Sequence, residues 1–242
     1  MGSDKTALVT GGARRLGKAL VLSLARGWNV WIHYRTSADD ALELAARIEK
    51  AGGSARVAAA DLAAPGGAEE LVRLVSSQQP SLIVHSASEW TEDTASTAEA
   101  AVWERSHRLH AWTAVVLARA LAGWGGGHLV TVLDARLRDR DPAHFSYAFA
   151  KRELMLLTRY LAAEFAPAVR VNGIAPGMVL RDDGTPPAEW NKFGRAVPLG
   201  RAGTAREVVQ ALRYLMGNAY VTGQILAVDG GRHLKGDLFG SL

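Results

Sequence analysis

The chain has 242 residues, 48% of them hydrophobic and 21% charged, with a net charge of +4, a size that admits one α/β domain or two small ones. It has no cysteine, which excludes disulfides, thiolate nucleophiles and Cys-ligated zinc. Its arginines are scattered rather than clustered, which argues against a nucleic-acid surface, and no run is long and apolar enough to span a bilayer, so a cytoplasmic protein is expected.

At the N-terminus, Met1-Gly2-x-x-x-Thr6 matches an N-myristoylation pattern, but the first strand candidate begins at Thr6 and leaves no arm for an anchor; the match is read as chance. Thr6 to Thr10 is a short buried-type strand running into Gly11-Gly12-Ala13-Arg14-Arg15-Leu16-Gly17, and Leu16 to Arg26 reads as a helix. A strand, a Gly-rich turn and a helix start make an anion site, because open N–H groups and the helix dipole face whatever lies there. The strict G-x-G-x-x-G form is absent. Asn29 to His33 is a second strand, followed by Tyr34, Arg35, Thr36 and Ser37. In a dinucleotide fold this strand end meets the adenosine ribose, where an acid selects NAD and a cation with hydroxyls selects NADP. There is no acid from Trp31 to Ser37, so NADP(H) is the expected cofactor.

Further along, Ala41 to Lys50 has helical periodicity, Arg56 to Ala60 is a third strand ending at Asp61-Leu62, and Gly66 to Ser77 is a helix. Ser81 to His85 is a fourth strand leading into Ser86-Ala87-Ser88-Glu89-Trp90. Ala98 to Ala122 reads as one long amphipathic helix, and Leu129 to Leu133 as a fifth strand ending at Asp134. Phe145 to Glu164 reads as a helix whose Tyr147 and Lys151, four apart, share a face. An ammonium so placed is expected to lower the phenol's pKa from about 10 and make it a usable proton donor. Val169 to Ile174 is a sixth strand, followed by Pro176-Gly177. The stretch 178–200 lacks clear periodicity and is expected to form a substrate lid. Thr204 to Met216 is a last helix, and Gln224 to Val228 the seventh strand. Alternating strands and helices, without linker or repeat, predict one doubly wound α/β domain of Rossmann type over residues 1–242, with a parallel sheet of about seven strands in the order 3-2-1-4-5-6-7. Every polar cluster falls at the carboxyl end of a strand, where such folds bind ligands.

The ordered set Thr10-Gly11-x-x-x-x-x-Gly17, Asp61, Tyr147-x-x-x-Lys151, Arg170-Val-Asn-Gly, Pro176-Gly177 and Asp229-Gly230-Gly231 resembles the short-chain dehydrogenase/reductases over essentially the whole chain. The resemblance implies Tyr147 as proton donor, Lys151 on the nicotinamide ribose, Asp61 at the adenine and a homotetramer. It also implies a cofactor site formed by Gly11, Arg14, Arg15, Leu16, Gly17, Tyr34, Arg35, Thr36, Ser37, Asp61, Leu62, Ser86, Ala87, Ser88, Tyr147, Lys151, Pro176, Gly177 and Val179. Departures from the family pattern are Arg15 in place of the middle glycine, Asp134 in place of the usual serine, His85-Ser86-Ala87-Ser88 in place of Asn-Asn-Ala-Gly, and His110 in place of a structural Asn. Arg15 and Asp134 together resemble the pteridine reductases. His85-x-Ala-Ser-x-Trp90, His110 and the Asp229 to Leu234 ending are similar to bacterial dihydromonapterin reductases.

A dihydropterin presents a C=N bond, which takes hydride on carbon and a proton on nitrogen, and a carboxyl group suits that proton better than a serine hydroxyl does. Asp134, Tyr147 and Lys151 are therefore the expected catalytic residues, with Asp134 and Tyr147 titrating as a pair. An Asp at a strand end can also cap a turn or pair with Arg136 or Arg138. Trp90 is expected to stack on the pterin, Arg15 to reach both cofactor phosphates and pterin, and Ser88 to donate to the ring. No metal is expected, because the histidines lack ligand spacing, and His85 and His110 are expected to bond backbone carbonyls or water. The other readings are a carbonyl reductase of a ketone such as a 3-oxoacyl thioester, and a catalytically silent NADP-binding sensor.

Overall fold

The structure, a computed structural model, describes residues 5–137, 141–182 and 184–235. Strand β1 (Thr6–Thr10) is buried along its whole length, and a strand covered on both faces reads as a continuous apolar run. It is followed by α1 (Arg15–Leu24), β2 (Asn29–Tyr34), α2 (Ala38–Lys50), β3 (Ser54–Ala59), α3 (Gly67–Val75) and β4 (Leu82–His85). The second half holds α4 (Ala100–His107), a π-helical turn (Arg108–Trp112), α5 (Thr113–Gly123), β5 (Gly127–Val132), α6 (Phe145–Glu164), β6 (Val169–Pro176), α7 (Pro187–Ala196), α8 (Ala205–Gly217) and β7 (Ile225–Val228).

The seven strands are parallel and lie in the order β3-β2-β1-β4-β5-β6-β7, as the alternation of elements predicts. Successive strand residues point to opposite faces, so Leu8 and Leu129 join one apolar cluster with Leu71, Leu117 and Leu154. Val9 and Val130 join the other, with Leu20, Leu44 and Leu212. The chain reverses its direction of winding between β1 and β4, which opens a crevice beyond their carboxyl ends.

Local differences from the expected elements have physical causes. The long helix expected over 98–122 is interrupted by the π-helical turn, whose wider winding a 3.6-residue periodicity cannot register. The stretch 178–200 contains α7, begun by Pro187 at its first turn; only Gly194 of that helix is buried, so it shows no apolar stripe. Helix α8 starts on a capping box, Thr204 with Glu207. Helix α6 has no side-chain cap at His144. Instead Asp93, from the loop after β4, accepts from the Ser146 N–H at 2.9 Å and from the Ser146 hydroxyl. The start of the helix that carries Tyr147 is thereby tied to the β4 loop. Among the described residues no helix is long and apolar enough to cross a membrane. Arg138 and the tail beyond Lys235 lie outside the described residues.

Three sheet histidines, His33 on β2, His85 on β4 and His128 on β5, are buried. Burial holds them neutral, at pKa values of about 4, about 3 and about 3. The unfolded chain protonates each near 6.5, so the stability they confer is complete above that pH and is lost as pH falls towards their folded values. In urea unfolding followed from pH 8 to pH 4, these histidines should add no slope to the free energy above neutrality. Below about pH 6 it should fall by up to about 1.4 kcal/mol per pH unit for each such histidine. A profile that stays flat to pH 4 would contradict this burial.

Candidate active site

The turn after β1 is held from below. The Gly11 N–H donates to His33 Nδ1 at 3.0 Å, and His33 Nε2 donates to the Ala60 carbonyl at 3.0 Å. Gly17 is required by packing, since a Cβ there would sit 2.0 Å from the Gly11 carbonyl oxygen. Arg15 adopts φ +48°, in the left-handed region, at a cost of about 1–2 kcal/mol for a non-glycine residue. That backbone explains why the family places glycine there. The α1 N-terminus has neither a side-chain cap nor an acid in its first turn, so its N–H groups and dipole are open to an anion.

The 2′ side of the crevice is more constrained than the sequence suggests. Arg35 is ion-paired with Glu89, and Arg14 with Asp40 (Nε to Oδ2, 2.6 Å). Arg105 from α4 donates to Glu89 (2.8 and 3.0 Å) and to Asp61 (3.1 and 3.3 Å). Against the upward push of partial burial, Arg105 and the Ala63 N–H hold the Asp61 carboxyl below its usual range. Arg14 and Arg35 thus have carboxylate partners, but exposed pairs of this kind contribute at most about 1 kcal/mol, which a phosphate dianion can outcompete.

Where the winding reverses, Thr10 Oγ1 accepts from the N–H groups of Ser86 and Ala87, both at 3.0 Å, and donates to His85 Nδ1 at 2.8 Å. His85 Nε2 in turn donates to the His110 carbonyl at 3.2 Å, inside the π-helical turn. The His110 ring bonds the Ser106 carbonyl through Nδ1 (2.9 Å) and Ser88 Oγ through Nε2 (3.0 Å). Both histidines bond backbone carbonyls, as expected for residues standing in for Asn.

The third part lies at the end of β5. Tyr147 donates its hydroxyl proton to Asp134 Oδ2 at 2.8 Å. The other carboxylate oxygen accepts the Arg136 N–H at 2.7 Å, so Asp134 both caps its turn and faces the tyrosine. The Arg136 guanidinium, 3.6 Å away, pairs with Asp134 and, at 2.8 Å, with Asp141. Burial first, and then the Asp134 charge, push the Tyr147 phenol well above 10. The net shift is thus opposite in direction to the one the Tyr147–Lys151 spacing predicts. The Lys151 ammonium donates to the Val132 carbonyl at 2.9 Å, and burial brings its own pKa down to about 8. The Asp134 side chain is 20% exposed and so keeps contact with solvent. Trp90, half exposed, lies 4.6 Å from the Tyr147 ring and 4.0 Å from the His144 ring, with the Arg136 guanidinium over its face at 4.4 Å.

These groups line one cleft of about 1060 Å³. It brings together Gly11, Arg14, Arg15, Leu16, Gly17, Tyr34, Arg35, Thr36, Ser37, Asp61, Leu62, Ser86, Ala87, Ser88, Trp90, Asp134, Tyr147, Lys151, Pro176 and Gly177. Val179 is the exception: it is buried in the core beside α8, and its neighbours Met178 and Leu180 face the cleft instead. Sequence reasoning also missed Glu89, Arg136, Trp190, Phe193 and Arg232, all on the cleft wall. Glu89 carried a signal, as an acid at a strand's carboxyl end; Trp190 and Phe193 gave none, because α7 has no readable stripe.

A family model described as enoyl-(acyl carrier protein) reductase matches residues 11–233. Dihydromonapterin reductase of Citrobacter koseri is 31% identical over 94% of this chain and 96% of its own length. Among solved structures, FolM alternative dihydrofolate reductase 1 from Brucella canis, complexed with NADP, is 38% identical with a TM-score of 0.88, covering 95% of this chain and 94% of that one. LugOII, described as a promiscuous reductase that catalyses keto-reduction at C1 during lugdunomycin biosynthesis, is 26% identical with a TM-score of 0.85, covering 96% and 98%.

The strained Arg15 yields a test that separates fold from site. Arg15→Gly removes about 1–2 kcal/mol of backbone strain and adds about 0.5–1 kcal/mol of unfolded-state entropy. Thermal stability should therefore stay within about 1 kcal/mol of the parent. The dissociation constant for NADPH, titrated by fluorescence, should rise several-fold. Unchanged affinity would remove Arg15 from the anion site.

Proposed function

The chain belongs to the short-chain dehydrogenase/reductase family, and from that premise we propose that it is an NADPH-dependent reductase of the C=N bond of a dihydropterin, giving the tetrahydropterin. The observation that carries the reading is the Asp134 carboxylate accepting the Tyr147 hydroxyl at 2.8 Å, at the position where the family usually has serine.

The cleft suits the cofactor. The α1 N-terminus is open, Arg14, Arg15 and Arg35 line one end, and no acid lies between Trp31 and Ser37. Bound there, NADPH would supply the hydride. Lys151 uses one of its three N–H bonds on Val132, leaving two for ribose hydroxyls, and at neutral pH it keeps its charge. Tyr147 keeps its own proton and, by donating to Oδ2, orients the Asp134 carboxyl group. Carbon reduction leaves a ring nitrogen that must be protonated, and Asp134, loaded with a proton from solvent, hands it over. Because Asp134 reaches solvent, it can regain a proton after each turnover. Trp90, Trp190 and Phe193 offer aromatic surface for a flat heterocycle, with the 178–200 segment acting as the substrate lid. The names of the dihydromonapterin and dihydrofolate reductase relatives support the same substrate class.

Reduction of a ketone is the second reading, favoured by the keto-reduction named for LugOII. Against it, residue 134 offers no hydroxyl to a carbonyl oxygen. A silent NADP sensor would have no need for the Tyr147–Asp134 and Lys151–Val132 hydrogen bonds.

Stopped-flow NADPH oxidation with dihydromonapterin or dihydrobiopterin should show turnover. Asp134→Ser and Tyr147→Phe should each lower it by roughly 10²- to 10⁴-fold, the range for loss of a positioned proton donor. Pterin reduction intact in Asp134→Ser sinks the substrate reading and leaves the oxidoreductase reading standing. On the cofactor side, Arg35→Asp should shift the NADPH/NADH preference towards NADH by at least roughly tenfold, and an unchanged ratio would mean that Arg35 does not meet the 2′-phosphate.

A further inference from the structure

Hydrogen-bond direction around His110 is fixed by one group that can play only one role, the Ser106 carbonyl, since the Ser106 hydroxyl 3.4 Å from Nδ1 donates instead to the Ser146 carbonyl. The Ser106 carbonyl, 2.9 Å from His110 Nδ1, can only accept, so Nδ1 carries the ring proton. The ring is fully buried. Burial, reinforced by the Lys151 charge, keeps it neutral, so Nε2 is bare. The partner of Nε2 is Ser88 Oγ at 3.0 Å, and among the described residues no other group hydrogen-bonds that nitrogen. A buried bare nitrogen needs a donor, and the single hydroxyl proton of Ser88 is committed to it. Ser88 also lies within reach of the Tyr147 oxygen, but that oxygen faces the cleft and can take its partner from solvent or substrate. What Ser88 presents to the cleft is therefore lone pairs only. Sequence reasoning assigned Ser88 the opposite role, as a donor to the substrate ring.

A carbonyl oxygen gains nothing from such a group. A ring N–H or an exocyclic amino group does, and Asp134, another acceptor, lines the same cleft. We propose that His110 is a positioning residue that locks Ser88 as an obligate hydrogen-bond acceptor, so that the site selects substrates presenting an N–H donor beside Ser88, namely reducible nitrogen heterocycles, over ketones. This deepens, and rests on, the dihydropterin reading above. His110 touches neither substrate nor cofactor in this arrangement; it acts through the orientation of one hydroxyl.

Two measurements test it. The first is ¹⁵N NMR of the histidine side chains in the full-length protein without substrate. His110 is expected as a neutral, Nδ1-protonated ring at pH 7, and its Nε2 resonance should move to that of a nitrogen without a hydrogen bond in Ser88→Ala. The second is a kinetic cycle with NADPH and dihydrobiopterin across the parent, Ser88→Ala, His110→Phe and the double variant. Ser88→Ala should raise KM for the pterin roughly tenfold, as expected on losing one substrate hydrogen bond, with a smaller change in kcat. His110→Phe should move KM in the same direction, and in the Ser88→Ala background it should add little further. An Nε2-protonated or doubly protonated His110 overturns the inference. So does a His110→Phe effect that persists undiminished without Ser88, which would mark a packing role. The NMR arm needs no variant that might fail to fold at position 110. A parent enzyme that ignores dihydropterins while reducing a ketone overturns the proposed function and the selection argued here together. Either of the other adverse results, with the parent active on dihydropterins, overturns this inference alone.

Discussion

The site depends on one side chain at the reversal of the sheet's winding. Thr10 ends β1, and its hydroxyl is saturated: it accepts two N–H bonds from Ser86 and Ala87 and donates to His85. In one step this fixes the start of the β4 loop beside the Gly11 turn, where a Cβ on Gly11 would come within 2.8 Å of Ala87 Cα. Since a hydroxyl has one proton, it also dictates which nitrogen of His85 is protonated. That choice passes on, because the His85 N–H occupies the His110 carbonyl. The π-helical turn, an insertion of the kind that clusters at functional sites, is held there by a bond traceable to Thr10. Buried polar networks destabilise when half satisfied and specify one arrangement when complete; this one is complete from Thr10 to Ser88.

The proton chemistry sits on the opposite wall and obeys different physics. The Tyr147–Lys151 pair was expected to work by direct charge stabilisation of a phenolate. In the structure the two side chains answer to other partners, Asp134 and the Val132 carbonyl. Burial pushes the phenol up and the ammonium down, which is what desolvation does to an acid and a base alike. The phenol is therefore kept protonated, with its proton aimed at a carboxylate. In the dihydropterin reading proposed above, a tyrosine in that state orients the carboxyl group that hands a proton to nitrogen. The carboxylate at 134 adds to an upward shift of the phenol that burial begins.

Much of this was legible in the residues. The strand order followed from the alternation of elements, and the cleft from polar clusters gathered at strand ends, because both are consequences of how parallel sheets bury their faces. Asp134, at the end of β5, both faces Tyr147 and caps the Arg136 N–H; one carboxylate has enough lone pairs for both. What escaped was set by contacts across the fold. Glu89 on Arg35 and Arg105 on Asp61 join residues from separate loops, and no periodicity encodes such pairs. Val179 lay one position from two cleft residues, and in an irregular segment nothing local says which of three neighbours turns inward. The direction of the Ser88 hydroxyl was invisible because it depends on the tautomer of a histidine 22 residues away.

The cleft is polarised along its length, and that polarity ties its two halves to one reaction. At the α1 end it offers donors: open helix N–H groups, Arg14, Arg15 and Arg35, a set that fits phosphates. At the β5 end the acceptors Asp134 and Ser88 stand beside the Arg136 guanidinium. Lys151 stands between the two ends, with donors left for a sugar. Arg15, at the start of α1, is one of two non-glycine residues, with Gln79, that the described chain holds at positive φ. Strain of that kind persists only where the surroundings over-determine it, and here the close contact of Gly17 with Gly11 behind it leaves the turn no other course.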